Sequence, residues 1–588
     1  MKSKHTISTH WITFIVLFVL SPVAFAQEKA KQIDDLISKY VESGNFNGSV
    51  LVAESGKVIF KKGYGLANME WAIPNTPDTK FRLGSLTKQF TSMLIMQLVE
   101  KGKLNLEGKV SDYLPDYPKA TGDKITIHHL LTHTSGIPNY TGLPTFQEML
   151  SRDPYKPIEF LKQFSDLPLE FEPGATFSYS NSGYFLLGVI IEQVTSQPYH
   201  KVLQENIFTP LQMNNTGYDL FATILPKRAT GYEKRGFGYV NASYLDMSIP
   251  YAAGSLYSTV EDLALWNQAL YSEKLLSASS KTILFTPYKS GYAYGWEIGK
   301  RLIGKFKDSV QVIRHGGGIN GFNTLLTRVP KDKYLLVLLN NTGYTNLNAM
   351  EDNILKILYN QPIDPPKTSV AYVLSKAVLM NPLANVIKQY QIIKKQPTYY
   401  LNEGEINQLG YELISTNKIK EAIAIFNLNV EEYPQSANVY DSRGEAYLLN
   451  GEKSQAIKDY KKSLELDCYN LNAIKVLNQM GEKVSDPVEV LLDSKIKTGD
   501  FKPYEGYYKL QFEPGKNSYL KIMTKNNHLV LIELWSGNEI IFDQKSELEF
   551  FNESRKFPLK FTKTKEGVIT QVLAYNKDLW NKTNDYKP

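Results

Sequence analysis

The sequence predicts a multidomain chain in which a large amino-terminal domain is followed by α-helical hairpins and then by a small all-β, barrel-like unit. Three observations carry this reading. The chain has 588 residues, room for three or four domains at about 150 residues each. Between residues 403 and 482, small and aromatic residues recur 34 positions apart. Beyond residue 503, pairs of strand-like runs flank short polar turns.

Residues 1–26 read as an export leader. Lys2 and Lys4 form a basic start, Trp11 to Leu20 a short apolar run, and Ala24-Phe25-Ala26 a small-x-small processing site before Gln27. An uncleaved anchor is the alternative, but the apolar run is short for a span of about 20 residues. The single cysteine, Cys468, excludes an intramolecular disulfide. Its expected role is packing rather than reactivity. These features suit a bacterial periplasmic or secreted protein with no membrane span once the leader is removed. Net charge is +6 with no basic block, so no nucleic-acid partner is inferred. No cofactor is implied.

Ser85-Leu86-Thr87-Lys88 is the most informative stretch. It runs into an apolar helical pattern of Leu86, Phe90, Met93, Leu94, Met96, Leu98 and Val99, with Gly102 as the expected stop. Residues three apart share a helix face, so the spacing sets an amine beside a hydroxyl. A serine needs a base to become a nucleophile. The lysine can serve only when neutral, which requires its pKa to fall from about 10.4 to roughly 7–8 through burial and neighbouring charge. The same spacing occurs at Ser415, Ser494 and Ser518, none of which leads into so apolar a helix.

Two companions strengthen the first motif. Tyr179-Ser180-Asn181 offers a phenol that a nearby ammonium could help to ionise, and an amide that can orient Lys88 or hold a substrate carbonyl. His315-Gly316-Gly317-Gly318 offers a backbone that can approach substrate closely and stabilise an oxyanion. The oxyanion loop of lipases reads similarly, but the Gly-x-Ser-x-Gly elbow it accompanies is missing from this chain.

Taken in the order Ser85-x-x-Lys88, Tyr179-x-Asn181, His315-x-Gly317, these residues resemble the penicillin-binding protein and class C β-lactamase superfamily of serine hydrolases. Framing segments match as well: Gly48 to Ala53, Leu130 to Ile137, Ala253 to Thr259, Tyr294-Gly295-Trp296 and Val337 to Asn341. The resemblance covers roughly residues 30 to 360. It implies an α/β β-lactamase-like domain over 27–362, with an antiparallel sheet flanked by helices and a helical subdomain. It also implies roles. Ser85 is the expected acylated nucleophile, Lys88 its base and Tyr179 the proton shuttle. Asn181, His315, Gly317 and Gly318 are the expected substrate contacts, with the Ser85 and Gly318 N–H groups as the oxyanion hole.

The third motif departs from the Lys-Thr-Gly usual in β-lactamases. A histidine of ordinary pKa is only about a quarter protonated at pH 7, so recognition of a substrate carboxylate weakens there. The expected function is therefore an exported serine hydrolase acting through an acyl-enzyme on an ester or amide. An esterase or a D-amino-acid peptidase acting on cell-wall fragments is favoured over an efficient β-lactamase. The alternative is a non-catalytic or penicillin-binding scaffold. His128, His129 and His133 cluster, but lack the acidic ligand and spacing of a metal site. The resemblance places His133 in a structural turn.

Three prolines between Asn360 and Thr368 mark a boundary. Residues 363–402 form a helical linker, with Val370, Val373, Leu374, Val378 and Leu379 on one stripe; packing back on the preceding domain is the plain expectation. Over 403–482, Gly410 and Gly444, Ala422 and Ala456, and Phe426 and Tyr460 recur at 34 residues. That resembles tetratricopeptide repeats and implies either a partner-binding groove or a spacer. Residues 490–588 are the all-β unit. Tyr519 to Thr524 and Leu529 to Leu534 make one hairpin, and Phe557 to Thr562 and Val568 to Ala574 another. The unit resembles the lipocalin-like appendages of some relatives.

Overall fold

The computed structural model describes residues 22–584, except 144–145, 147–149, 237, 305–308, 344, 468–469 and 485–500. In the last unit 511–518, 526–527, 535–538, 545–546, 553–556, 565–566 and 575–577 are also excepted. Residues 1–21 of the expected leader, and Cys468, lie outside the described residues. Helix α1 (Pro22–Glu42) runs through the expected processing site.

The amino-terminal domain is built on six strands: β1 (Gly48–Glu54), β2 (Lys57–Tyr64), β3 (Glu297–Leu302), β4 (Ser309–Ile319), β5 (Phe322–Val329) and β6 (Tyr334–Asn340). Their spatial order is β3-β4-β5-β6-β1-β2, antiparallel throughout. Early and late sequence meet in its middle, where Val50 of β1 faces Leu338 of β6. Every residue of β6 is buried, which explains its unbroken apolar run: a strand covered on both faces has no polar side. Side chains alternate between faces. Val50, Val52, Leu336 and Leu338 pack with Ile33 of α1 and with Ile354. Leu51, Val337 and Leu339 join the core of the helical subdomain.

That subdomain centres on α2 (Thr87–Glu100), α3 (Asn181–Thr195) and α4 (Val260–Ala269). Helix α2 is buried continuously from Thr87 to Leu98, as a helix apolar all round must be. It ends just before Gly102, as expected. Trp266 of α4 stacks on Phe90 at 4.4 Å between ring centroids, and its Nε1–H donates to Gln89 Oε1 at 3.0 Å. Helix α5 (Asn348–Leu358) covers the other sheet face, and its fully buried Glu351 accepts hydrogen bonds from Arg301, Arg314 and Thr327.

Residues 369–398 do not pack chiefly on this domain, contrary to expectation. Pro382 divides them into α6 (Val370–Met380) and α7 (Leu383–Ile393). Val370, Leu374 and Val378 bury against Ile406, Leu409 and Leu413 of the following helices, because those residues offer a matching apolar stripe. Leu379, expected on the same stripe, is exposed. Tyr372 reaches back, its ring centroid 4.4 Å from Lys234 Nζ.

Helices α8 (Glu403–Ser415) and α9 (Ile419–Glu432) form one hairpin, α10 (Ala437–Leu449) and α11 (Lys453–Leu466) the next, and α12 (Leu471–Gln479) follows. The 34-residue period has a direct physical cause. A Cβ on Gly410 would fall 2.3 Å from the Phe426 ring, and one on Gly444 would fall 3.3 Å from Tyr460. In each hairpin a glycine lets the aromatic of the paired helix lie against backbone.

The last unit is a closed antiparallel barrel of eight strands: β7 (Gly506–Leu510), β8 (Tyr519–Lys525), β9 (His528–Glu533), β10 (Glu539–Gln544), β11 (Glu549–Asn552), β12 (Phe557–Lys563), β13 (Ile569–Ala574) and β14 (Asp578–Thr583). First and last strands pair, Tyr507 opposite Thr583. Alternate residues such as Leu520, Ile522, Leu529, Leu531, Ile540 and Phe542 fill the interior, which eight strands leave just wide enough for side chains. Among the described residues no helix is long and apolar enough to cross a membrane.

Candidate active site

Ser85 lies in a single 3₁₀ turn, Gly84–Leu86, and Lys88 in the first turn of α2. Gly84 has φ +55°, and a Cβ there would lie 3.0 Å from the Gly318 nitrogen. A left-handed glycine thus sets the serine turn against β4.

Lys88 is fully buried. Its Nζ is 3.1 Å from Ser85 Oγ, 2.8 Å from Asn181 Oδ1 and 2.9 Å from the Ala253 carbonyl. Among the described residues no carboxylate pairs with it. Burial holds its pKa well below the usual lysine range, and the positive end of the α2 dipole acts in the same direction. A neutral amine has two N–H donors and one lone pair. With Asn181 and Ala253 accepting the two donors, the lone pair is left to face the Ser85 hydroxyl.

Tyr179 and Asn181 flank Ser180, the N-cap of α3, whose Oγ accepts from the Gly183 N–H at 3.4 Å. The cap fixes where the chain turns into the helix, and hence where both neighbours sit. The Tyr179 ring centroid is 4.9 Å from Lys88 Nζ. Burial pushes Tyr179 above the usual phenol range. The phenol is thereby held protonated at ordinary pH.

His315 is buried in β4. Its Nδ1 lies 2.6 Å from the Gly316 carbonyl, so Nδ1 carries the proton and donates. Its Nε2 then accepts from the Tyr292 hydroxyl at 2.9 Å. Burial, reinforced by the charge of Lys88 when protonated, lowers its pKa to about 3. His315 is therefore neutral at ordinary pH with both nitrogens occupied. Gly317 does not line the cavity at Ser85. A Cβ there would fall 2.0 Å from the Leu83 carbonyl oxygen, so this glycine permits close packing. Gly318 lines the cavity, together with Ser85, Asn181, Tyr140, Leu245 and Ala253; its volume is about 130 Å³. A larger cavity of about 750 Å³, bounded by Lys234, Tyr372 and Glu405, shares no lining residue with it. Of the other Ser-x-x-Lys serines, Ser415 donates to the Glu412 carbonyl at the end of α8; Ser494 and Ser518 lie outside the described residues.

A family model described as Beta-lactamase matches residues 33–361, more than half of the chain. The chain belongs to the beta-lactamase family. Penicillin-binding protein 4* of Bacillus subtilis (strain 168) is 31% identical over 374 residues, spanning 58% of this chain and 78% of that protein. Protein flp of Staphylococcus aureus (strain N315) is 29% identical over 326 residues, 53% of this chain and 63% of that one. Among solved structures, D-amino acid amidase from Ochrobactrum anthropi SV3 superposes with a TM-score of 0.50 at 24% identity, over 57% of this chain and 99% of that one. That likeness is one of fold. The expected β-lactamase-like α/β domain, the helical region and the carboxy-terminal barrel are all present, and the chain is a serine hydrolase of this family.

The beta-lactamase family domain also gathers residues that sequence reasoning left aside. His133, in a turn with φ +56°, packs its ring against Tyr179 at 4.2 Å between centroids, tilted by 37°, and accepts the Ser180 N–H on Nδ1 at 3.1 Å. It supports the second motif as well as making a turn. Tyr292, two residues before the Tyr294-Gly295-Trp296 segment, fixes His315; the alternation of tyrosines around Ala293 was the available signal. The Ala253 carbonyl belongs to a segment that matched only as framework, because a backbone acceptor leaves no trace in residue type. His128 bonds Tyr294 at 2.7 Å through Nδ1, and His129 Nδ1 accepts the Thr126 N–H at 3.2 Å. Among the described residues no cluster suited to a metal is found.

Proposed function

We propose that Ser85 attacks an ester or amide carbonyl while Lys88 takes its proton, and that Tyr179 passes a proton to the leaving group. Acylation and hydrolysis would then proceed in two steps, with the Ser85 and Gly318 N–H groups facing the oxyanion. The observation that carries this reading is the fully buried Lys88 amine, 3.1 Å from Ser85 Oγ and without a carboxylate partner among the described residues. The neutral His315 supports an esterase or peptidase over an efficient β-lactamase, because a penicillin carboxylate finds no cation at the third motif. The name of the B. subtilis relative supports β-lactams as acylating probes.

A chromogenic ester and a chromogenic cephalosporin, assayed side by side on wild type and Ser85→Ala, test the proposal. Faster ester turnover, lost in the variant with folding intact, is expected. Ester activity that survives Ser85→Ala would refute it. We further propose export, supported by the leader-like residues 1–26. Amino-terminal sequencing of protein recovered from the periplasm or medium should begin at Gln27; protein retained in the cytoplasm with Met1 in place would count against it.

A further inference from the structure

The cavity at Ser85 has a neighbour. A second chamber of about 400 Å³ shares Leu245 and Asn320 with it, so the two adjoin across those side chains. Its polar lining includes Arg82, Arg228, Asn241 and Ser243, and among the described residues no acidic side chain lines it. Beneath it lies Asp219, with a side chain only 1% exposed. Arg82 Nε donates to Asp219 Oδ2 at 2.7 Å, and an Arg228 NH group donates to Oδ1 at 2.8 Å. One carboxylate thus holds two guanidinium groups, and a second acid near the chamber, Asp246, accepts from the lining Tyr244 hydroxyl at 3.1 Å. Each guanidinium has five N–H donors. Among the described residues, each spends one on Asp219 and makes no other side-chain hydrogen bond.

Among the described residues, the rest of the site has no cation to offer an anion. Lys88 is buried beneath Ser85, and both nitrogens of His315 are occupied. The positive charge lost from the third motif reappears one chamber away, on arginines pre-oriented by a buried acid. Planar guanidinium groups suit carboxylates, which they can hold through paired hydrogen bonds.

We propose that the Arg82–Arg228 chamber is a substrate subsite that binds a carboxylate remote from the reacting carbonyl. The preferred substrates are then acyl esters or amides with an acidic group several bonds from the scissile bond. This rests on the reading of Ser85 as the nucleophile.

The test compares the mono-4-nitrophenyl esters of glutarate and adipate with neutral 4-nitrophenyl esters of equal chain length. Wild type should prefer the half-esters in kcat/KM. Arg228→Gln should cut that preference by about 10- to 100-fold, as loss of a charge-assisted hydrogen bond implies, and Arg228→Lys should restore part of it. An unchanged preference in Arg228→Gln overturns the proposal. A binding measurement avoids both catalysis and the folding of that variant. By calorimetry, Ser85→Ala protein should bind glutarate more tightly than neutral glutaramide, and equal binding overturns the subsite. If Ser85→Ala still cleaves esters, the nucleophile assignment fails, while the glutarate result decides the subsite separately.

Discussion

At His315, the consequence of burial extends from chemistry to stability. Its pKa falls to about 3 in the folded protein, against about 6.5 in the unfolded chain. The unfolded state therefore binds the extra proton between these values, and stability falls as pH drops through that window. The slope is about 1.4 kcal/mol per pH unit for one proton. Lys88 and His133 are also lowered by burial and act in the same direction. Urea unfolding of wild type at pH 7 and pH 5 should show lower stability at pH 5, and His315→Gln should have a smaller difference between the two. An equal difference in the variant would show that His315 is not held neutral. The histidine's placement in the third motif was legible from its glycine neighbours. Its neutrality was only partly so, because Tyr292 and the Gly316 carbonyl, which occupy its nitrogens, carry no motif of their own.

Among the elements, those with strong periodicity were legible and those defined by partners were not. Helix α2 follows from an apolar run and Gly102, and β6 from its unbroken Leu/Val stretch. The partner of α6 did not follow, because an apolar stripe says that something covers it without saying what. The repeat shows why spacing can still carry packing information. Gly410 recurs as Gly444 because each faces an aromatic on the paired helix. Gly410→Ala would push a methyl group into Phe426 and should destabilise the helical unit by about 1–3 kcal/mol, the usual cost of overpacking. Gly444→Ala, with more room, should cost less. Phe426→Leu combined with Gly410→Ala should recover part of the loss. Unfolding monitored by hydrogen exchange in α8 and α9 would measure it, and equal effects at the two glycines would contradict the packing account.

For the whole molecule, fold and site come from the same long-range pairings. Strands from both ends of the domain close one sheet, β1 beside β6, and that closure brings the 3₁₀ turn at Ser85, the capped start of α3 and the end of β4 to one cleft. The barrel has a core of its own, from Phe501 to Trp580, and its class was readable from alternating strands. The Arg82–Arg228 chamber was not readable, because its residues come from separate segments with no shared spacing. The central claim is that Lys88 is neutral at working pH and takes the Ser85 proton. The direct measurement is the rate of fluorophosphonate labelling as a function of pH, with the adduct located by peptide mass spectrometry. The account predicts an adduct on Ser85, a rate already at its plateau near pH 8, and loss of rapid labelling in Lys88→Arg. An adduct on another residue, or a rate still climbing toward pH 10 as an ordinary lysine would dictate, would contradict it.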